Sequence, residues 1–111
     1  MANFILQSNF IQYIKDLQGI NFSCESGYIS NGFLFIKESY KWDGCTYAIN
    51  TKSTYTASLI HDFLYEYGPI CRRKADKVFE QQLLKNGFQF AKLYYIAVRI
   101  FGKSRFNSTI K

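Results

Sequence analysis

The chain has 111 residues, 48% of them hydrophobic, with 11 Phe, 9 Tyr, 1 Trp, a single proline and a formal net charge of +6. It is too short for two domains of ordinary size. It is also too rich in large apolar side chains to stay disordered, because their burial offsets the entropy lost on ordering; one domain over residues 1–111 is the expectation. Three well-separated cysteines (Cys24, Cys45, Cys71) and a single histidine support neither a disulfide framework nor a structural zinc site, and reduced thiols are expected.

The first half reads as strands and turns. Phe10 to Lys15 is β-prone, although Phe10, Ile14 and Leu17 also fit a helical stripe, and strand is the preferred reading. Gly19 and Gly27 punctuate the segment. Phe33 to Lys37 is a second strand bounded by Asn31-Gly32, and Tyr40 to Tyr47 is either a third strand or a loop around Asp43-Gly44.

The second half reads as three helices. The first is expected from about Thr54 to Tyr67, stopped by Gly68-Pro69, because proline cannot continue the backbone ladder. A second follows from about Arg72 to Lys85, with Ala75, Val78, Phe79, Gln82 and Leu83 on one face and Asn86-Gly87 as a left-handed stop. A third runs from about Gln89 to Phe101, with Phe90, Leu93, Tyr94, Ala97, Val98 and Phe101 as its apolar stripe. The fold class is therefore α+β: a small N-terminal antiparallel sheet, then three C-terminal helices, the first two forming an antiparallel hairpin across a short connection.

Charge is unevenly placed. Residues 1–62 carry four cations and five anions, a net of −1, whereas residues 63–111 carry ten cations and three anions, a net of +7. Helix three with Lys92, Arg99, Lys103 and Arg105 fits an ordinary core helix with a solvated face. It also fits a basic amphipathic helix facing nucleic acid or an anionic membrane surface. The N-terminus lacks the basic region of a secretory signal. The longest apolar stretch, around Leu93 to Phe101, is broken by Arg99 and is well short of the roughly 20 residues of a membrane span, so a soluble, cytoplasmically made protein is expected.

The residues with chemical potential sit on helices one and two. His61 and Tyr65 are four apart and share a face, whereas Asp62 projects about 100° away. In a hairpin closed at Gly68 to Cys71, Asp76 comes within reach of His61. A carboxylate on one imidazole nitrogen fixes the tautomer and leaves the other nitrogen as a base, while a neighbouring carboxylate is suited to a hard cation. His61, Asp76 and Tyr65 are thus candidate catalytic residues, and Asp62 and Asp43 candidate metal ligands. The competing reading is a structural ion pair between His61 and Asp76 that holds the hairpin. Tyr65, Tyr94 and Tyr95 are read chiefly as packing residues, with a substrate channel or a base-stacking surface as the alternative.

Four runs, Asp43-Gly44-Cys45-Thr46, then Ala57 to Tyr65 with His61-Asp62, then Arg72 to Phe79 with Ala75-Asp76, then Ala97 to Gly102, resemble an uncharacterised domain family common in tailed phages and prophages. The resemblance covers about residues 33–102. It implies a small bacteriophage-encoded accessory or virion-associated protein. Such a protein would be made in the host cytoplasm and then carried in the particle, with other phage structural proteins or its own copies as partners. The sequence departs from the family pattern at Cys45-Thr46-Tyr47, where a serine and proline run is usual, and at Cys71, where a serine helix cap is expected. His61, Asp62, Tyr65 and Asp76 are also similar in type and order to the helix pair of the phospholipase A2 superfamily. That similarity implies a lipid or ester hydrolase in which His61 activates water, Asp76 orients His61 and Asp62 binds calcium; outside this reading no cofactor is expected.

Overall fold

The computed structural model describes residues 4–42, 52–103 and 106, and within the chain two compact units separate at Trp42 and Asp43. Architecture is α+β: the described strands lie in the first unit and the described α-helices in the second.

The first unit holds β1 (Phe4–Ile5), β2 (Phe10–Tyr13), β3 (Phe22–Cys24), β4 (Gly27–Ser30), β5 (Phe33–Ile36) and β6 (Lys41–Trp42), with a 3₁₀ turn over Lys15–Leu17. Strands β2, β5, β4 and β3 lie in that order in an antiparallel sheet, and β1 pairs with β6 in a separate two-stranded ribbon. Alternation along the strands sorts the side chains. Ile29, Leu34 and Ile36 are buried, with Ile29 directly opposite Leu34, whereas Tyr28 and Phe35 stack on the other face at 4.9 Å between ring centres. Asn31 and Gly32, both at positive φ (52° and 85°), make the two-residue turn whose twist matches the flanking strands, which is why Asn-Gly sits there.

Three of these strands, β1, β3 and β4, escape a reading of the sequence. β3 and β4 are short, and Gly27, read as punctuation, instead opens β4. A side chain at that position would run into the Phe35 carbonyl of the neighbouring strand, so glycine marks close backbone approach rather than an end. The strand expected over Phe10 to Lys15 ends at Tyr13 and passes into the 3₁₀ turn, whose Leu17 is fully buried. Of the segment from Tyr40 to Tyr47, Lys41–Trp42 is strand and residues 43–47 lie outside the described residues.

The second unit consists of α1 (Lys52–Tyr67), α2 (Arg72–Lys85) and α3 (Ala91–Phe101). Helix α2 begins and ends at the expected residues. α1 starts two residues earlier and α3 two residues later than the sequence reading places them. Gly68 (φ 54°) and Pro69 close α1, and the four-residue link turns α2 back alongside it. At the end of α2 the Phe88 N–H donates to the Leu83 carbonyl (2.9 Å) and the Gly87 N–H to the Leu84 carbonyl (3.0 Å). With Gly87 at φ 77°, this is the Schellman arrangement that Asn86-Gly87 announces. Ala57, Phe79, Leu83, Ala91 and Val98 form the core of the unit, with Phe88 and Tyr94 packed against it.

Helix α3 buries only part of the stripe its periodicity points to: Val98 is buried and Tyr94 packs against the core. Ala91 and Val98 are buried, but Phe90, Leu93 and Phe101, three members of the expected stripe, are exposed. With apolar residues nearly all around the helix, its two apolar faces cannot be ranked by spacing, and packing against the other helices uses the narrow one bearing small side chains. Among the described residues no helix is long and apolar enough to cross a membrane.

Candidate functional site

The site is organised around one carboxylate. Asp76 sits one turn into α2 and is completely buried, a position that an aspartate holds only when its oxygens are satisfied. Its Oδ1 accepts hydrogen bonds from His61 Nε2 (2.8 Å) and from the Tyr65 hydroxyl (2.5 Å), both on α1. Its Oδ2 accepts from Arg99 Nη1 on α3 (2.8 Å) and lies 4.0 Å from Arg72 Nε. All three helices therefore meet at this side chain.

A second layer holds the first. Arg72 Nε donates to the Tyr65 oxygen (3.2 Å), while its Nη2 donates to the carbonyls of Val98 (2.9 Å) and Arg99 (2.5 Å). The Val98 carbonyl also accepts from the Gly102 N–H (2.9 Å), and a cation is the favourable partner at the carbonyl end of a helix, so Arg72 serves as a cap supplied from another helix. The His61 ring packs against Tyr65 and Phe79, with ring centres 4.1 and 4.6 Å away. A β-carbon on Gly102 would stand 2.6 Å from the Tyr65 hydroxyl and 2.5 Å from the Val98 carbonyl, so the chain leaving α3 passes closest to the site at the one residue without a side chain.

Protonation follows from these contacts. Burial pushes the Asp76 carboxyl up, but the hydrogen bonds from His61, Tyr65 and Arg99 outweigh it and hold the group below the ordinary carboxylate range. Burial, together with the adjacent Asp76 carboxylate, raises the Tyr65 phenol well above its usual range, so it remains a donor at neutral pH. The Asp76 charge likewise raises Arg99. An ionised carboxylate only accepts, so the proton of the His61–Asp76 bond lies on Nε2 in the neutral ring. That leaves Nδ1 with its lone pair, and no described residue hydrogen-bonds it.

His61, Asp76 and Tyr65 are thus brought together as their spacing implied. Asp62 lies next to His61 on α1 and is half-buried, with interactions of its own. Asp43 lies outside the described residues, as does Cys45. Among the described residues no three His, Cys, Asp or Glu side chains converge to hold a metal ion. Tyr94 packs on Phe88, and Tyr95 lies beneath the Lys77 ammonium (4.6 Å), which places both in packing roles.

Arg72 and Arg99 are the members of the site that residue chemistry alone passes over. Arg99 is assigned by spacing to the basic surface with Lys92, Lys103 and Arg105, but it turns inward to Asp76. Arg105 lies outside the described residues. The available signal was their place in the same short runs as Asp76 and Val98.

No curated protein and no solved structure gives a significant match to the chain. Residues 44–98, which carry His61, Asp62, Tyr65, Arg72 and Asp76, match the model of the family described as protein of unknown function (DUF1353).

Proposed function

We propose that the His61 site is that of a water-activating hydrolase of carboxylic esters, of the phospholipase A2 type. The observation that carries the reading is that Asp76 Oδ1 accepts from both His61 Nε2 and the Tyr65 hydroxyl, which orients the buried imidazole and leaves its Nδ1 without a hydrogen bond from a described residue. Histidine is the side chain whose ordinary titration spans neutral pH, and a carboxylate behind the ring stabilises the imidazolium formed when it takes a proton.

In the step proposed, Nδ1 takes a proton from water as the water oxygen bonds to the ester carbonyl carbon. The bond from that carbon to the alkoxy oxygen then breaks, and the imidazolium returns its proton to the departing alcohol. Asp76 and Tyr65 act through His61 as positioning residues. In this reading Asp62, the neighbour of His61 in the chain, would be the residue to hold a cation, and no part of the step is routed through one.

The test is hydrolysis of a fluorogenic phospholipid, with and without calcium, by wild type and His61→Ala. The reading expects turnover that falls by on the order of a hundredfold or more in the variant. Absence of any His61-dependent turnover in either condition rejects it.

A second reading is favoured by the two guanidinium groups on Asp76, which a base-and-orienter pair does not require. In it the network pins three helices of a small bacteriophage-encoded accessory or virion-associated protein that acts by packing against other proteins. It expects His61→Ala to lower the unfolding midpoint without any loss of turnover, and the wild-type protein to be found in purified particles by mass spectrometry.

A further inference from the structure

The outward face of α3 is apolar without being covered. Leu93, Ile96 and Ile100 are 61%, 44% and 63% exposed, with Phe90 exposed at the start of the helix. At 100° per residue, positions 93, 96 and 100 fall within about 60° of one another, opposite the buried Ala91 and Val98. Lys92 falls on the flank of that stripe, next to Ile96, and Lys103 follows two residues after the end of the helix. Both are exposed, and neither has an ion-pair partner among the described residues. From Gln81 to Lys111 the chain contains six cations and no acidic residue.

We infer that this face of α3 docks the protein on an anionic lipid bilayer, lying in the interface with Leu93, Ile96 and Ile100 inserted and Lys92 and Lys103 at the headgroups. The combination of features selects the occupant. A nucleic acid has no use for three branched aliphatic side chains, since they neither stack on bases nor contact phosphates. A second copy of the same helix would bring lysine against lysine at the flank. A leaflet of anionic lipid matches both parts, taking the aliphatic side chains into its acyl boundary and the ammonium groups at its phosphates. At 11 residues the helix is about 16 Å long, which suits lying in the interface rather than crossing it. The inference stands on α3 alone and does not depend on the hydrolase reading.

Flotation of the full-length protein with vesicles tests it, using pure phosphatidylcholine against an equal mixture of phosphatidylcholine and phosphatidylglycerol. Wild type is expected to float with the mixed vesicles and not with phosphatidylcholine alone. Leu93→Gln/Ile96→Gln/Ile100→Gln is expected to weaken partitioning on the order of a hundredfold, and Lys92→Glu/Lys103→Glu by about tenfold or more. All five positions are exposed, so far-UV circular dichroism and the unfolding midpoint should match wild type. His61→Ala should float like wild type, which keeps loss of docking distinguishable from loss of turnover. The inference is overturned if wild type does not float with the mixed vesicles, or if the triple variant floats undiminished. It is equally overturned if the triple substitution abolishes a dimer seen by sedimentation in a protein that ignores vesicles. Salt-sensitive DNA retention lost only in the lysine variant, without vesicle binding, overturns it as well.

Discussion

Asp76 makes more of its contacts to other helices than to its own, and its stability contribution should be read from what is stranded when it changes. Asp76→Asn removes the charge that Arg99 and Arg72 face while leaving both guanidinium groups in place. Breaking a buried pair in this way costs about 3 to 5 kcal/mol, so urea unfolding should give a midpoint shifted far below that of wild type. Tyr65→Phe is milder. It deletes one of two donors to Oδ1 and the acceptor of Arg72 Nε, for an expected loss of about 1 to 3 kcal/mol by the same measurement. If the hydrolase reading is right, Tyr65→Phe should also lower turnover less than His61→Ala does, since the imidazole keeps its own bond to Asp76.

At the scale of elements, α2 shows a stop that is well made and a start that is not. Its C-terminus has the full Schellman bond pair, but Cys71, the N-cap, has extended backbone and gives no side-chain hydrogen bond to the first turn. A hydroxyl at that position can accept from the N–H of Arg73 or Lys74. Cys71→Ser is therefore expected to stabilise the protein by about 0.5 to 1 kcal/mol, seen as a rise of roughly 2 to 6 °C in the midpoint of thermal unfolding. Cys71 is an exposed free thiol, so the exchange disturbs no packing. Helix α3 is the counterexample among elements: its start, stop and amphipathic character follow from sequence, yet the direction it faces does not.

At the scale of the whole molecule, the network couples stability to pH. The folded Asp76 carboxyl titrates below its usual value near 3.8, so its contribution is fully present above that value and is lost as pH falls through the lower, folded one. Urea unfolding of wild type and Asp76→Asn across acid pH should show the stability difference between them shrinking as pH falls below about pH 4. A difference independent of pH throughout that range would mean that the charge of Asp76 contributes nothing to stability.

Much of this molecule was legible in 111 letters. The boundaries of α2, the Asn31-Gly32 turn, the Gly68-Pro69 stop and the meeting of His61 with Asp76 all follow from local rules, because backbone geometry, capping and helical spacing act over a few residues. β3 and β4 were not legible, because strands of three and four residues hold too little pattern, and Gly27 is explained only by the strand beside it. The sequence by itself determined the α+β order of elements and placed a histidine, a tyrosine and an aspartate within reach of one another. Only the tertiary structure decided that Arg99 turns in to Asp76 while Leu93, Ile96 and Ile100 turn out. The reason is that a periodic pattern defines which residues share a face, whereas the neighbour against which a face is buried comes from elements distant in the chain.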